Sequence, residues 1–107
     1  MNLRLLNYLI AVADLKNFSA AAEKCFVTQP TLSGQIKKLE ERLAVKFFER
    51  DNKRVIITAE GQKMIAIARN IVRQIEAFEK TALTASNPLA GKFYIWSFPT
   101  IATYLLP

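Results

Sequence analysis

The sequence predicts a mainly α-helical fold, with short helices and a two-stranded hairpin leading into one long helix. Three observations carry that expectation. Residues Phe18 to Leu39, F-S-A-A-A-E-K-C-F-V-T-Q-P-T-L-S-G-Q-I-K-K-L, place a small-residue helix, a tight turn and a second capped helix in one unit. After Leu43 the apolar pattern leaves the helical repeat of 3.6 and becomes strand-like. From Thr58 to about Ser86 there is no proline, and apolar residues step alternately by four and three.

The first element is a helix in which Leu6, Leu9, Ile10 and Ala13 recur at helical spacing and face a core. Arg4, the run from Leu5 to Val12 and the small-residue triplet Ala11-Val12-Ala13 superficially copy a secretory signal. Asn7 and Tyr8 interrupt that run, so an uncleaved, core-packed helix is the better reading. No segment reaches the ~20 apolar residues that span a bilayer. In the second helix Ser19 is the expected cap, and Ala20, Ala21 and Ala22 let a neighbouring helix cross at short range. Cys25 closes it as a buried, inert thiol.

The third helix starts at Thr28, whose hydroxyl can cap it, with Pro30 in the first turn where its missing N–H costs nothing. Leu32, Ile36, Leu39 and Leu43 form its core stripe. Opposite them lie Pro30, Gly34 and Lys37, flanked by Thr31 and Ser33, with Lys38 just beyond. Gly34 costs about 1 kcal/mol in a helix interior, and close approach of the backbone to base edges supplies a reason for it. Free amides at the helix start can hold a phosphate while Gln29 bonds a base, adenine being its natural geometric partner. A capped amphipathic helix in any small helical domain would show the same periodicity.

Phe47 to Arg50 and Val55 to Thr58 read as two short strands around a polar turn, the wing of a winged helix-turn-helix. The tip is expected to carry Arg50, Lys53 and Arg54, placed to follow a DNA backbone or enter a minor groove. A solvated charged turn is the plainer alternative. The long helix, ~28 residues and ~40 Å, carries Met64, Ala68, Ile71, Ile75, Phe78 and Ala82 as a heptad seam suited to a second copy of the chain. Ile65, Ile67 and Val72 widen the stripe in its N-terminal half, and their packing on the domain is the plainer alternative; both hold if the near half serves the core and the far half the dimer. Asn87 to Gly91 breaks the helix as a hinge, and Lys92 to Phe98 resembles a buried strand. The expected organisation is 1–58 as a winged helix-turn-helix, 59–86 as a dimerisation helix, 87–91 as a hinge and 92–107 as the truncated start of an α/β effector domain. Trp96 and Tyr104 would be core residues of that further domain.

Composition narrows the function classes. The formal charge of +6 over 107 residues points to a polyanionic partner. With no histidine, no glycine-rich phosphate loop and one cysteine, no catalytic grouping, metal site or cofactor is expected. The lone cysteine also fits a reducing cytoplasm better than a disulfide scaffold. The rival to a DNA reader is a basic helical interaction module without specific readout, since the seam would be the same. An RNA binder fits less well, because the aromatic residues lie on apolar stripes rather than on a stacking platform.

The order Phe18-x-x-Ala21-Ala22, Thr28-Gln29-Pro30-Thr31-Leu32-Ser33, Ile36-x-x-Leu39-Glu40, Leu43, Phe48-x-Arg50 and Thr58-x-x-Gly61 resembles the LysR-type transcriptional regulators. Within that family, the run Cys25 to Glu40 and the tail Ile95-x-x-x-Pro99-Thr100-Ile101-x-x-Tyr104-Leu105-Leu106-Pro107 look most like the peroxide-responsive activators. Ala44 departs from the glycine usual after the reading helix, and Trp96 and Thr103 depart in the tail. The resemblance implies a cytoplasmic homodimer on an inverted-repeat operator in double-stranded DNA, paired through the linker helix. It further implies higher oligomers of the whole protein, RNA polymerase as a further partner, and an effector domain whose cysteine pair senses hydrogen peroxide. A regulator of the same type sensing a small metabolite is the alternative. Positions matching Gln29, Pro30, Thr31 and Ser33 would meet DNA, and those matching Arg50, Lys53 and Arg54 would serve the wing.

Overall fold

The computed structural model describes residues 1–51 and 54–86. Its elements are α1 (Leu3–Leu15), α2 (Phe18–Lys24), α3 (Gln29–Leu43), β1 (Phe48–Asp51), β2 (Arg54–Ile57) and α4 (Ala59–Ser86). The expected strand and helix start at residues 92–107, with Trp96, Thr103 and Tyr104, and the hinge at 87–91 lie outside the described residues, as do Asn52 and Lys53. The chain divides into two units, Met1–Val72 and Arg73–Pro107; the described part of the second is the C-terminal half of α4.

Each short helix begins on a side-chain cap. The Asn2 carboxamide oxygen accepts from the Leu5 amide at 2.9 Å, and that of Asn17 accepts from the Ala20 amide at 2.9 Å. Ser19, the expected cap of α2, therefore sits inside the helix. Asn17 outcompetes it because its extended backbone places the side-chain oxygen over the first free amides. Thr28 caps α3 as expected, its Oγ1 accepting from the Thr31 amide at 3.3 Å.

The core forms where these helices cross. Leu6, Leu9, Val12 and Ala13 of α1 meet Ala21 and Ala22 of α2 and Leu32, Ile36 and Leu39 of α3, all buried. Tyr8, read from sequence as a polar interruption, is buried there too, and burial raises its hydroxyl pKa despite the nearby Arg4. A tyrosine ring contributes apolar area as a phenylalanine does, so its hydroxyl misleads a hydropathy reading. Cys25 is half-buried rather than buried, and desolvation raises its thiol pKa, with Lys24 opposing.

Three connections adopt left-handed backbone without glycine, the first at Lys16, which ends α1 with φ 51°. Phe26, in the turn between α2 and α3, has φ 59° and a ring 93% exposed. Ala44, ending α3, has φ 55°. Its amide and that of Val45 bond back to the carbonyls of Glu41 and Glu40 at 3.4 and 3.1 Å, closing the helix.

β1 and β2 pair antiparallel, Phe48 with Ile57 and Arg50 with Val55. Thr58 then ties hairpin to helix. Its amide donates to the Phe47 carbonyl at 3.0 Å, its hydroxyl oxygen accepts from the Gly61 amide at 2.9 Å, and its hydroxyl lies against the Lys46 carbonyl. Gly61 is required here, since a Cβ would stand 2.4 Å from the Phe47 carbonyl oxygen.

The anticipated seam on α4 divides. Ala68, 2% exposed, belongs to the core beside Ile65, with Met64 and Val72 packed against it. Ile67, which the plainer alternative packs on the domain, is instead 59% exposed. Counted at ~100° per residue, Ile67 falls on the side of Ile71 and Phe78, roughly a quarter-turn or more from Ile65 and Ala68. Both of those outer residues are exposed, Phe78 at 76%.

Candidate nucleic-acid interface

The side of α3 turned away from the core presents Pro30, Thr31, Gly34, Lys37 and Lys38, all exposed, with Gln29 and Ser33 half-exposed at its margin. An added Cβ at Gly34 would meet nothing within 4 Å, so the missing side chain leaves open surface rather than room for a neighbour. The core stripe Leu32, Ile36 and Leu39 anchors this face from behind.

The polar side chains along it are organised. The Thr28 hydroxyl donates to Thr31 Oγ1 at 2.8 Å while its oxygen caps the helix. Gln29 Nε2 donates to Ser33 Oγ at 2.9 Å, one turn on. Arg50 Nη2 donates to the same oxygen at 3.3 Å, and the guanidinium carbon lies 3.9 Å above the centre of the Phe18 ring. Phe18 also meets Phe48 edge to face, at 5.9 Å between ring centres. Arg50 is thus held between a ring of α2 and a hydroxyl of α3.

This placement corrects the expected position of Arg50. It is not at the hairpin tip but within β1, paired with Val55. Strand alternation puts it on the face of the buried Phe48, two residues earlier, which directs it toward α2 and α3. Arg54 lies toward the tip and pairs with Asp51 at 3.8 Å, with both side chains well exposed. Lys53 is outside the described residues. The structure therefore gathers the α3 residues and Arg50 into one surface and leaves Arg54 apart.

A cleft of about 580 Å³ runs between α3 and β1, lined in part by Phe18, Ser33, Gly34, Lys37, Lys46 and Arg50. Glu40 and Glu49 also border it, but both are engaged. The Glu40 carboxylate accepts from the Phe47 amide at 2.8 Å and approaches that of Phe48 at 3.4 Å, and Glu49 stands 4.0 Å from Lys46. Phe18 and Lys46 were not among the sequence candidates. The signal for Phe18 was its arginine two residues beyond Phe48, which needs a partner on that side of the strand.

Residues 3–62 match the family of bacterial regulatory helix-turn-helix proteins, lysR family. The chain is 40% identical over all 107 residues to the DNA-binding transcriptional dual regulator OxyR of Escherichia coli K12, covering 35% of that protein. It is 39% identical over 107 residues to the hydrogen peroxide-inducible genes activator of Haemophilus influenzae, covering 36% of it. The chain thus spans about a third of the length of these relatives. Among solved structures, the CbnR DNA-binding domain in complex with DNA superposes with a TM-score of 0.75 at 33% identity, over 81% of this chain and all of that one. With a helix-turn-helix, a two-stranded wing and a long following helix in the same order, the chain belongs to the lysR family of bacterial regulatory helix-turn-helix proteins.

Proposed function

We propose that this chain is the DNA-reading part of a transcriptional regulator and binds an inverted-repeat operator as a homodimer, with α3 in the major groove. The observation that carries the reading is the α3 face itself, with uncovered polar and basic residues around Gly34 on a chain of charge +6. Thr28, Gln29, Pro30, Thr31 and Ser33 meet the duplex at the helix start. Lys37 and Lys38 add positive charge beside phosphates, and Lys53 and Arg54 serve the wing. Dimerisation falls to the outer stripe of α4, through Ile71, Ile75, Phe78 and Ala82. Residues 1–58 form the reading head and 59–86 the linker.

The duplex-binding test uses wild-type protein to select sequences from a random double-stranded pool. Affinity for the selected duplex is then measured against salt beside a scrambled one. Specific binding with a steep salt slope is expected, and Gln29→Ala should reduce the preference for the selected duplex about tenfold. Binding that follows charge alone would favour the non-specific basic module.

For the whole protein the reading is a cytoplasmic, peroxide-responsive regulator, supported by identity to relatives of that name over the full chain. The peroxide chemistry does not rest on Cys25. Its half-buried thiol has a raised pKa and so presents little of the thiolate that reacts with oxidants. Cys25→Ala in the whole protein should leave a peroxide-driven reporter unchanged, and loss of the response would place the sensor here.

A further inference from the structure

Ser33 carries one O–H donor and two acceptor lone pairs. Gln29 Nε2 donates to its oxygen at 2.9 Å and Arg50 Nη2 at 3.3 Å, so both acceptor positions are occupied by groups that can only donate. A serine in a helix often turns its own proton back to the carbonyl four residues earlier, as Thr84 does to Lys80 at 2.9 Å. Among the described residues none accepts from the Ser33 hydroxyl. Its proton is left for the cleft, next to Gly34, where no side chain obstructs an incoming base edge.

We propose that Arg50 is a positioning residue for base readout: held on the Phe18 ring and bonded to Ser33, it acts with Gln29 to fix the serine hydroxyl as an outward donor that reads an acceptor on a base edge. The proposal rests on the DNA-reading conclusion above and gives that face a polarity. Guanine N7 and O6, adenine N7 and thymine O4 accept in the major groove, whereas the cytosine amino group donates. The base facing Ser33 is therefore a purine or thymine, and cytosine is rejected. Arg50 thereby affects sequence preference rather than serving as one more phosphate contact.

The test measures the selected duplex against its scrambled counterpart, at several salt concentrations, for the wild-type chain, Ser33→Ala, Arg50→Lys, Arg50→Gln and the double variant Ser33→Ala with Arg50→Lys. Helical circular dichroism checks each fold. Arg50→Lys keeps the charge but loses the planar fork, so preference should fall about tenfold while the salt slope stays as in the wild type. Ser33→Ala should lose a similar factor, and the double variant should be no worse than either alone, the mark of residues acting as one unit. Arg50→Gln should lose the same preference. If Arg50→Lys keeps full preference, if Arg50→Gln merely lowers the salt slope by about one contact's worth, or if the two losses multiply, Arg50 does not act through Ser33. A wild-type chain that selects no sequence overturns the DNA-reading conclusion itself.

Discussion

The outward face of α3 and the outer stripe of α4 are both left uncovered by the described chain, yet they ask for opposite partners. On α3 the exposed groups are small, polar or cationic, and several are fixed in direction: Thr28 by its cap, Gln29 by Ser33, Ser33 by Arg50. On α4 they are Ile67, Ile71 and Phe78, which offer area but no direction. Water solvates the first face well and the second badly. A face of fixed donors gains from a ligand whose acceptors match it, whereas an apolar stripe gains from any surface that removes it from water, at about 25 cal/mol per Å². Exposure alone therefore does not distinguish a reading surface from an assembly surface. The chemistry exposed, and how tightly it is held, does.

The largest effect expected from breaking this pair lies on the apolar side. Ile75→Glu with Phe78→Glu should leave a monomer by sedimentation and cost about 100-fold or more in affinity for a two-site duplex, because the second contact ceases to be intramolecular. Binding to an isolated half-site should change far less. An unchanged sedimentation mass would remove the stripe from the dimer interface.

Next come the points that fix each face to the core. Gly61→Ala drives a Cβ against the Phe47 carbonyl, a backbone atom that no rotamer change can move. It should destabilise the fold by about 1–3 kcal/mol or more in denaturant unfolding, because the start of α4 must shift from the hairpin. Ala44→Gly should act the other way, relieving a left-handed alanine at the exposed end of α3. A gain of about 1 kcal/mol, or roughly 4–8 °C in the melting midpoint, is expected. No change would mean that the backbone there relaxes at no cost.

Much of this was legible in the chain, and the exceptions have physical causes. The core stripe of α3, its Thr28 cap, the hairpin and the length of α4 follow from period, capping chemistry and the absence of proline. Ala44 stood out where glycine is usual, and its φ of 55° gives the reason. What failed depends on competition or direction that a helical count does not hold. Asn17 and Ser19 both suit a cap, and only the chain's entry angle decides between them. Ala68 and Ile67 are neighbours in sequence, and a small residue buries more readily than a large one when the helix seats closely on its core. Arg50 was read by its charge as a tip residue, although the two-residue step from Phe48 already directed it inward. Phe26 shows nothing in sequence of its left-handed, solvent-facing conformation.

The smallest effect concerns how α4 is held to α1. Arg69 forms a hydrogen-bonded ion pair with Asp14, which holds the Asp14 carboxyl below its ordinary value of 3.8, chiefly through the side-chain hydrogen bond. Lowering a carboxylate's folded pKa stabilises the fold at pH values above the unfolded pKa. That contribution fades as pH falls through 3.8 toward the lowered value. Both side chains remain 39% exposed, so solvent screening limits the pair to well under about 1 kcal/mol. Asp14→Asn should therefore cost a few tenths of a kcal/mol at neutral pH and progressively less as pH falls below 3.8, flattening the acid side of the stability profile, and 1 M salt should shrink the neutral-pH difference. A loss that stayed constant as pH fell below 3.8 would mean that Asp14 acts through packing at the α1–α4 contact rather than through its charge. Equal losses of dimer mass and sequence preference in the same variant would mean that this contact supports both faces together.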